Sequence, residues 1–167
     1  YVGIDAQLSF QSPVGFTSIR AEYITGQQPA AKATSASVSG STLLNYDTYI
    51  RKASGGYVYF IQNIGQTKHQ FVLKYDWLDP NTKVKGTEIV SKSAANKNTA
   101  LGTADIAFNT LGIGWNYRLN SQVKLTAYYE IVKNEKTGLS PVGLNRTLDT
   151  SKDLKDNVFT LRVQYKF

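Results

Sequence analysis

The chain has 167 residues, 19 Lys and Arg against 12 Asp and Glu, a formal charge of +7, and neither Cys nor Met. The missing cysteine excludes disulfide frameworks, thiolate metal sites and cysteine nucleophiles, while the charge biases partners toward anions without naming them. Mean hydropathy is −0.30 and no run approaches the roughly 18–20 apolar residues of a spanning helix, so only strands, whose alternation hides them from hydropathy, are left to cross a membrane.

The length predicts a single domain. Nothing like a charged and then apolar leader opens the chain at Tyr1, so either a signal peptide has been removed or the chain starts partway through a longer protein. The first strand sets Val2, Ile4, Ala6, Leu8 and Phe10 against Asp5, Gln7 and Ser9. A tight turn at residues 12–15 leads into a second strand over 16–25. There Thr17, Ile19, Ala21 and Tyr23 oppose Ser18, Arg20 and Glu22.

The polar stretch 26–55 reads as a long loop. A third strand over 56–63 (GYVYFIQN) has ambiguous facing, because nearly every residue is apolar or aromatic. After a short turn at 64–67, the fourth strand sets Phe71, Leu73, Tyr75 and Trp77 against Gln70, Lys74 and Asp76. A Lys-rich loop follows from Asp79 to about Ala104. The fifth strand opposes Leu111, Ile113, Trp115 and Tyr117 to Gly112, Gly114, Asn116 and Arg118. Beyond a short turn at 119–122, the sixth opposes Val123, Leu125, Ala127, Tyr129 and Ile131 to Lys124, Thr126, Tyr128 and Glu130. A third long loop runs to about Asp156. The last strand then alternates Phe159, Leu161, Val163, Tyr165 and Phe167 with Thr160, Arg162, Gln164 and Lys166.

Side chains alternate across a strand, so each segment has an apolar and a polar face. Short turns and long loops alternate throughout. That pattern predicts an all-β, antiparallel, up-and-down transmembrane β-barrel with short turns at the periplasmic side and loops outside. Seven strands would leave two open edges in lipid, where each unpaired backbone group costs several kcal/mol. The expectation is therefore about seven strands from the C-terminal portion of a larger barrel. A strand missed inside a loop is the alternative.

The polar face gives the pore-lining candidates Arg20, Glu22, Lys74, Asp76, Arg118, Lys124, Glu130 and Arg162. Outward aromatics sort by height. Phe10, Trp115, Tyr117, Tyr165 and Phe167 are expected at the periplasmic ends, and Tyr23, Tyr75, Trp77, Tyr129 and Tyr57 at the extracellular ends. Small or aliphatic residues such as Ala6, Ile19, Leu73, Leu125 and Leu161 lie between. Two aromatic girdles around an aliphatic band are an interfacial arrangement. A soluble sandwich has no reason to sort aromatics this way.

The strings YDWLDPNTKVKG, LGIGWNYRLNSQVKLTAYYE and FTLRVQYKF resemble the C-terminal half of the phosphate-selective porin O and P family, well over 68–133 and 157–167 and loosely over the first hairpin. The resemblance implies a bacterial outer-membrane channel of many antiparallel strands, usually trimeric, that admits small anions such as phosphate. Arg20, Lys74, Lys124 and Arg162 match the family's basic lining by facing rather than by motif.

Other chemistry is sparse. His69, the only histidine, falls beside a short turn on the outward side, where an interfacial role is expected rather than a general base. Asp76 and Asp79 mark a strand exit, where capping the loop or pairing with Lys74 is the plain reading. Asp149 with Asp153, and Asp79 with Glu88, match no dedicated Ca²⁺ loop. Gly112 and Gly114 follow strand periodicity, so pore space or a sharp bend is expected there rather than phosphate binding. Asn145-Arg-Thr147 fits a glycosylation sequon. No metal, cofactor or catalytic residue is predicted.

Loop residues Lys32, Arg51, Lys52, Lys83, Lys85, Lys92, Lys97, Lys136, Arg146, Lys152 and Lys155 either focus anions at a channel mouth or face the lipopolysaccharide of the outer leaflet. The leading expectation is a passive channel with mild anion preference, in contact with outer-membrane lipid and small anionic solutes, with no nucleic-acid partner. A non-conducting accessory barrel that docks other membrane proteins through its loops is the second. A soluble basic β-protein that binds nucleic acid or polysaccharide is the third, and it would extract without detergent.

Overall fold

The computed structural model describes residues 1–31, 48–90, 101–138 and 149–167. They form one seven-stranded sheet in chain order: β1 (Val2–Ser12), β2 (Gly15–Ala31), β3 (Thr48–Asn63), β4 (His69–Asp79), β5 (Phe108–Arg118), β6 (Val123–Asn134) and β7 (Val158–Tyr165). Every neighbouring pair is antiparallel, so the chain runs up and down without a crossover. Among the described residues β1 and β7 pair on one side only. Single 3-10 turns at Gly86–Glu88 and Thr103–Asp105 are the only helical pieces described.

Two strands are longer than the sequence predicts. β2 continues through Ala31 and β3 begins at Thr48, so much of the expected loop over 26–55 is hairpin. The ladder continues because the register set below carries upward, from Gly26 opposite Ala53 to Ala31 opposite Thr48.

The short turns are tightly specified. Gly15 adopts φ +125°, and a side chain there would run into the Asn63 carbonyl oxygen. Gly65 donates its N–H to the Val14 carbonyl at 2.7 Å, so the first two turns are tied together. In the third, Asn120 Oδ1 accepts from the N–H groups of Gln122 and Val123 at 2.9 and 2.8 Å.

Directly opposed residues of an antiparallel pair share a face. The register therefore places Ile4, Leu8, Ile19, Phe60, Leu73, Ile113, Leu125 and Leu161 together on one side of the sheet. Nothing described covers them. Twenty-six large hydrophobic residues are exposed, whereas only Ala30, Ala31, Ile89, Leu101 and Ile106 are buried apolar residues among those described. The core sits at the long-loop end, where the top of β2 meets the loops, not on the sheet's apolar face.

That end is a folded cap. Thr82 donates both its N–H and its hydroxyl to the Lys52 carbonyl, at 2.8 and 3.0 Å. The Glu135 carboxylate accepts from Gly86 N–H at 2.6 Å and Ala107 N–H at 3.4 Å. Val90 bridges Gly138 in parallel, and Asn134 Oδ1 accepts from Leu154 N–H at 2.7 Å. The expected Lys-rich loop is thus partly built into a layer above β3, β5 and β6.

Candidate functional site

The polar face orders its side chains in rows across the strands. One row runs Gln7, Arg20, Tyr59, Lys74, Gly112, Glu130; the next, nearer the long loops, runs Asp5, Glu22, Tyr57, Asp76, Thr110. Toward the short turns lie Asn63, Gln70, Asn116, Thr126 and Arg162, and then Arg118, Lys124 and Gln164. All eight residues expected to line a pore therefore share one face. Of these, only Lys74 and Asp76 form an ion pair among the described residues, at 2.7 Å, with the Lys74 ammonium 5.6 Å from the Tyr59 ring centroid. Pairing with Lys74 was one plain reading of Asp76. Asp79 takes the other, accepting the Asn81 N–H at 2.9 Å.

Three tyrosines join these charges. Tyr57 opposes Glu22 and Asp76, which corrects its expected place among the outward aromatics. Tyr57 and Tyr59 meet edge to face at 5.4 Å. In GYVYFIQN both parities are apolar, so periodicity carried no facing signal there. Gly112 and Gly114 are corrected as well. They open no space, because side chains there would collide with the Tyr128 ring, which lies over both. An aromatic from the next strand covers the bare backbone of β5.

A chain of side-chain hydrogen bonds crosses four strands. Thr126 Oγ1 donates to Asn116 Oδ1 at 2.6 Å, Asn116 Nδ2 to Gln70 Oε1 at 2.8 Å, and Gln70 Nε2 to Asn63 Oδ1 at 2.7 Å. The sequence analysis put Gln70, Asn116 and Thr126 on the polar side but did not connect them. Their equal distance from the short turns was the available signal. Beside the ladder opens a cleft of about 380 Å³, lined by Tyr59, Asn116, Lys124, Tyr128, Glu130 and Arg162 among others.

On the opposite face the expected aromatics form two clusters. Near the long-loop ends Trp77 stacks with Tyr75 at 6.0 Å and Tyr23 at 6.4 Å, and its ring covers Gly56. Tyr129 faces outward but belongs to neither cluster. It opposes Phe159 and Ile113 in the middle of β6, in the row of Leu73 and Ile19 rather than at the expected long-loop end. Near the short turns His69 lies against Trp115 at 5.2 Å and Tyr117 at 4.8 Å, and its Nδ1 accepts the Trp115 indole N–H at 3.2 Å. The outward placement expected for His69 is what the register gives. Phe10 is at the foot of β1, and Tyr165 meets Phe167 at 5.1 Å beyond the end of β7.

Arg51 requires a correction. It belongs to the upper part of β3, where it is fully buried rather than displayed at the loop surface, and its Nε lies 2.9 Å from Asp105 Oδ1. Asp105 also accepts from Tyr49, from Asn81 Nδ2 at 2.9 Å and from Gly102 N–H at 2.8 Å. Burial, and then the Asp105 carboxylate beside it, push the Tyr49 hydroxyl up, so it stays a donor. No local pattern could have paired residues 54 positions apart.

Asp149 accepts from the Ser151 hydroxyl at 2.5 Å, Asp153 from Asn134 N–H at 3.2 Å, and Glu88 from Lys85 N–H at 2.7 Å. These carboxylates are engaged in local loop bonds, and no group of three metal-ligating side chains occurs among the described residues. The sequon and Lys32, Lys92, Lys97 and Arg146 lie outside the described residues. No family model, curated protein or solved structure matches the chain.

Proposed function

We propose that this chain is the C-terminal part of an outer-membrane porin, a passive diffusion channel for small solutes with a mild anion preference. The observation that carries the reading is the uncovered apolar face. Soluble monomers rarely expose apolar patches beyond a few hundred Å², yet here a whole sheet face is bare between two aromatic clusters. His69 and Trp77 are eight residues apart on β4, about 27 Å at 3.4 Å per residue. Strands tilted by 35–45° bring that to about 20 Å of height, near the ≈25 Å apolar band of such barrels. Charged residues on the apolar face, such as Lys52, Asp79 and Lys133, belong to the upper strand ends, so the band itself carries none.

In this reading the polar face lines the lumen, the short turns and Phe167 are periplasmic, and strands outside this chain pair with β1 and β7. The anion preference is mild because the charges nearly balance. Once Lys74 pairs with Asp76, the face keeps Arg20, Arg118, Lys124, Arg162 and Lys166 against Asp5, Glu22 and Glu130. Recording single channels of the whole protein in planar bilayers tests this. Stepwise conductance with a reversal potential favouring anions is expected, and Lys124→Glu with Arg162→Glu shifts it toward cations. A cation-selective wild type overturns the anion claim, and a closed one favours the accessory barrel.

A further inference from the structure

We infer that the cleft between Tyr59 and Arg162 binds a neutral saccharide, a ligand class that accounts for its mixed lining. The inference deepens the channel reading, on which it rests for the passage of solute.

Three properties of the cleft converge. Its charges are unspent: among the described residues Lys124, Glu130 and Arg162 have no ion-pair partner, and the Tyr128 hydroxyl is buried with no hydrogen-bond partner. Cationic donors and a carboxylate acceptor share one wall. Lys124 and Arg162 attract an anion, but an anion only accepts hydrogen bonds and leaves the Glu130 carboxylate without a donor, while a simple cation would face Lys124 and Arg162. A hydroxyl both donates and accepts, so a polyol satisfies every group without charge conflict.

The amide ladder adds preorganised partners. Asn116 and Gln70 are each held by one donated and one accepted bond. A primary amide has a second N–H and a second lone pair, so Asn116, the amide that lines the cleft, keeps one of each. Groups already held in place lose little freedom when a ligand arrives. The third property is aromatic. Tyr128 is laid along β5 by Gly112 and Gly114, and Tyr59 stands in the same wall. Such ring faces take the apolar C–H face of a pyranose, while a hydroxyl at its rim reaches the Asn116 amide. A volume of about 380 Å³ lies at the small end of ligand sites.

Saturation-transfer NMR tests this on the whole protein folded in detergent, with glucose, sucrose and raffinose as probes and inorganic phosphate as competitor. Transfer to ring C–H protons of at least one sugar is expected. Tyr59→Ala and Asn116→Leu should each weaken binding by about tenfold, while Gln7→Ala, on β1, leaves it unchanged. Tyr128→Phe, which keeps the ring over the glycines, should weaken it about threefold even if the larger changes impair folding. Absence of transfer to all three sugars overturns the assignment. So does binding indifferent to Tyr128→Phe and the other cleft variants, or displacement by phosphate at lower concentrations than the sugar itself needs. Bilayer current from the same preparations separates the two readings. Sugar binding without conductance sinks the channel and leaves the site, and conductance without sugar binding sinks the site alone.

Discussion

Leu161 in β7 is 73% exposed, whereas Arg51, at the top of β3, and Ile89, in the loop beyond β4, are completely buried. One chain thus treats its apolar and charged side chains in opposite ways at its two levels. The cap follows the rules of a water-soluble protein: small apolar residues are packed away, and a buried charge is given a partner and several hydrogen bonds. The sheet relies on its backbone ladder and leaves its apolar side to a medium outside the chain. The difference teaches that the strands cannot be judged by the burial they achieve alone, while the cap can.

The largest expected effect strikes the cap. Asp105→Ala takes the carboxylate from the buried Arg51 guanidinium and the acceptor from Tyr49, Asn81 and Gly102, which costs about 3–5 kcal/mol. Amide hydrogen exchange over residues 101–107 should then rise sharply while the β4–β6 amides stay protected. Equal loss in both regions would show that cap and sheet are one unit. A smaller but more diagnostic change falls on the belt. Leu161→Arg should cost about 2–4 kcal/mol in urea titrations of folding into lipid vesicles. In a soluble sheet the same exposed position would tolerate Arg within about 0.5 kcal/mol, and that outcome removes the membrane reading.

Packing on the polar face comes third. Gly114→Ala forces the Tyr128 ring off β5 and should cost about 1–3 kcal/mol, and an unchanged stability would mean that the ring is not seated there. The smallest effect is electrostatic. The Ser151 hydroxyl holds the Asp149 carboxyl below its ordinary value, with the Ser151 N–H and Lys152 helping, against a smaller opposing desolvation. A lowered folded-state value stabilises above the ordinary pKa of 3.8 and is lost as pH falls through the lowered one. Carboxyl ¹³C titration should find Asp149 still ionised slightly below pH 3.8, and Ser151→Ala should bring it back up.

Strand order and most facings were legible because a period of two needs only neighbouring residues to be read, as in Phe159 to Phe167. Tyr57 was misplaced where apolar residues occupied both parities. The upper parts of β2 and β3 were hidden because Gln27 to Ala31 carry no alternation and are held by register inherited from below. Arg51 and Asp105 were illegible for a different reason: a long-range pair leaves no mark on the residues around either partner.

The ladder from Thr126 to Asn63 has a consequence of its own. Each member donates in the same sense, away from β6 and toward β3. Bonds aligned head to tail polarise one another, so the row is a one-way relay with a distinguishable beginning and end. Its beginning is Thr126, directly opposite Arg162. Its end is Asn63, whose carbonyl neighbours the Gly15 turn. A donor arriving at the Thr126 oxygen would tighten every later link, so an event at β7 has a physical route to the end of β3, four strands away.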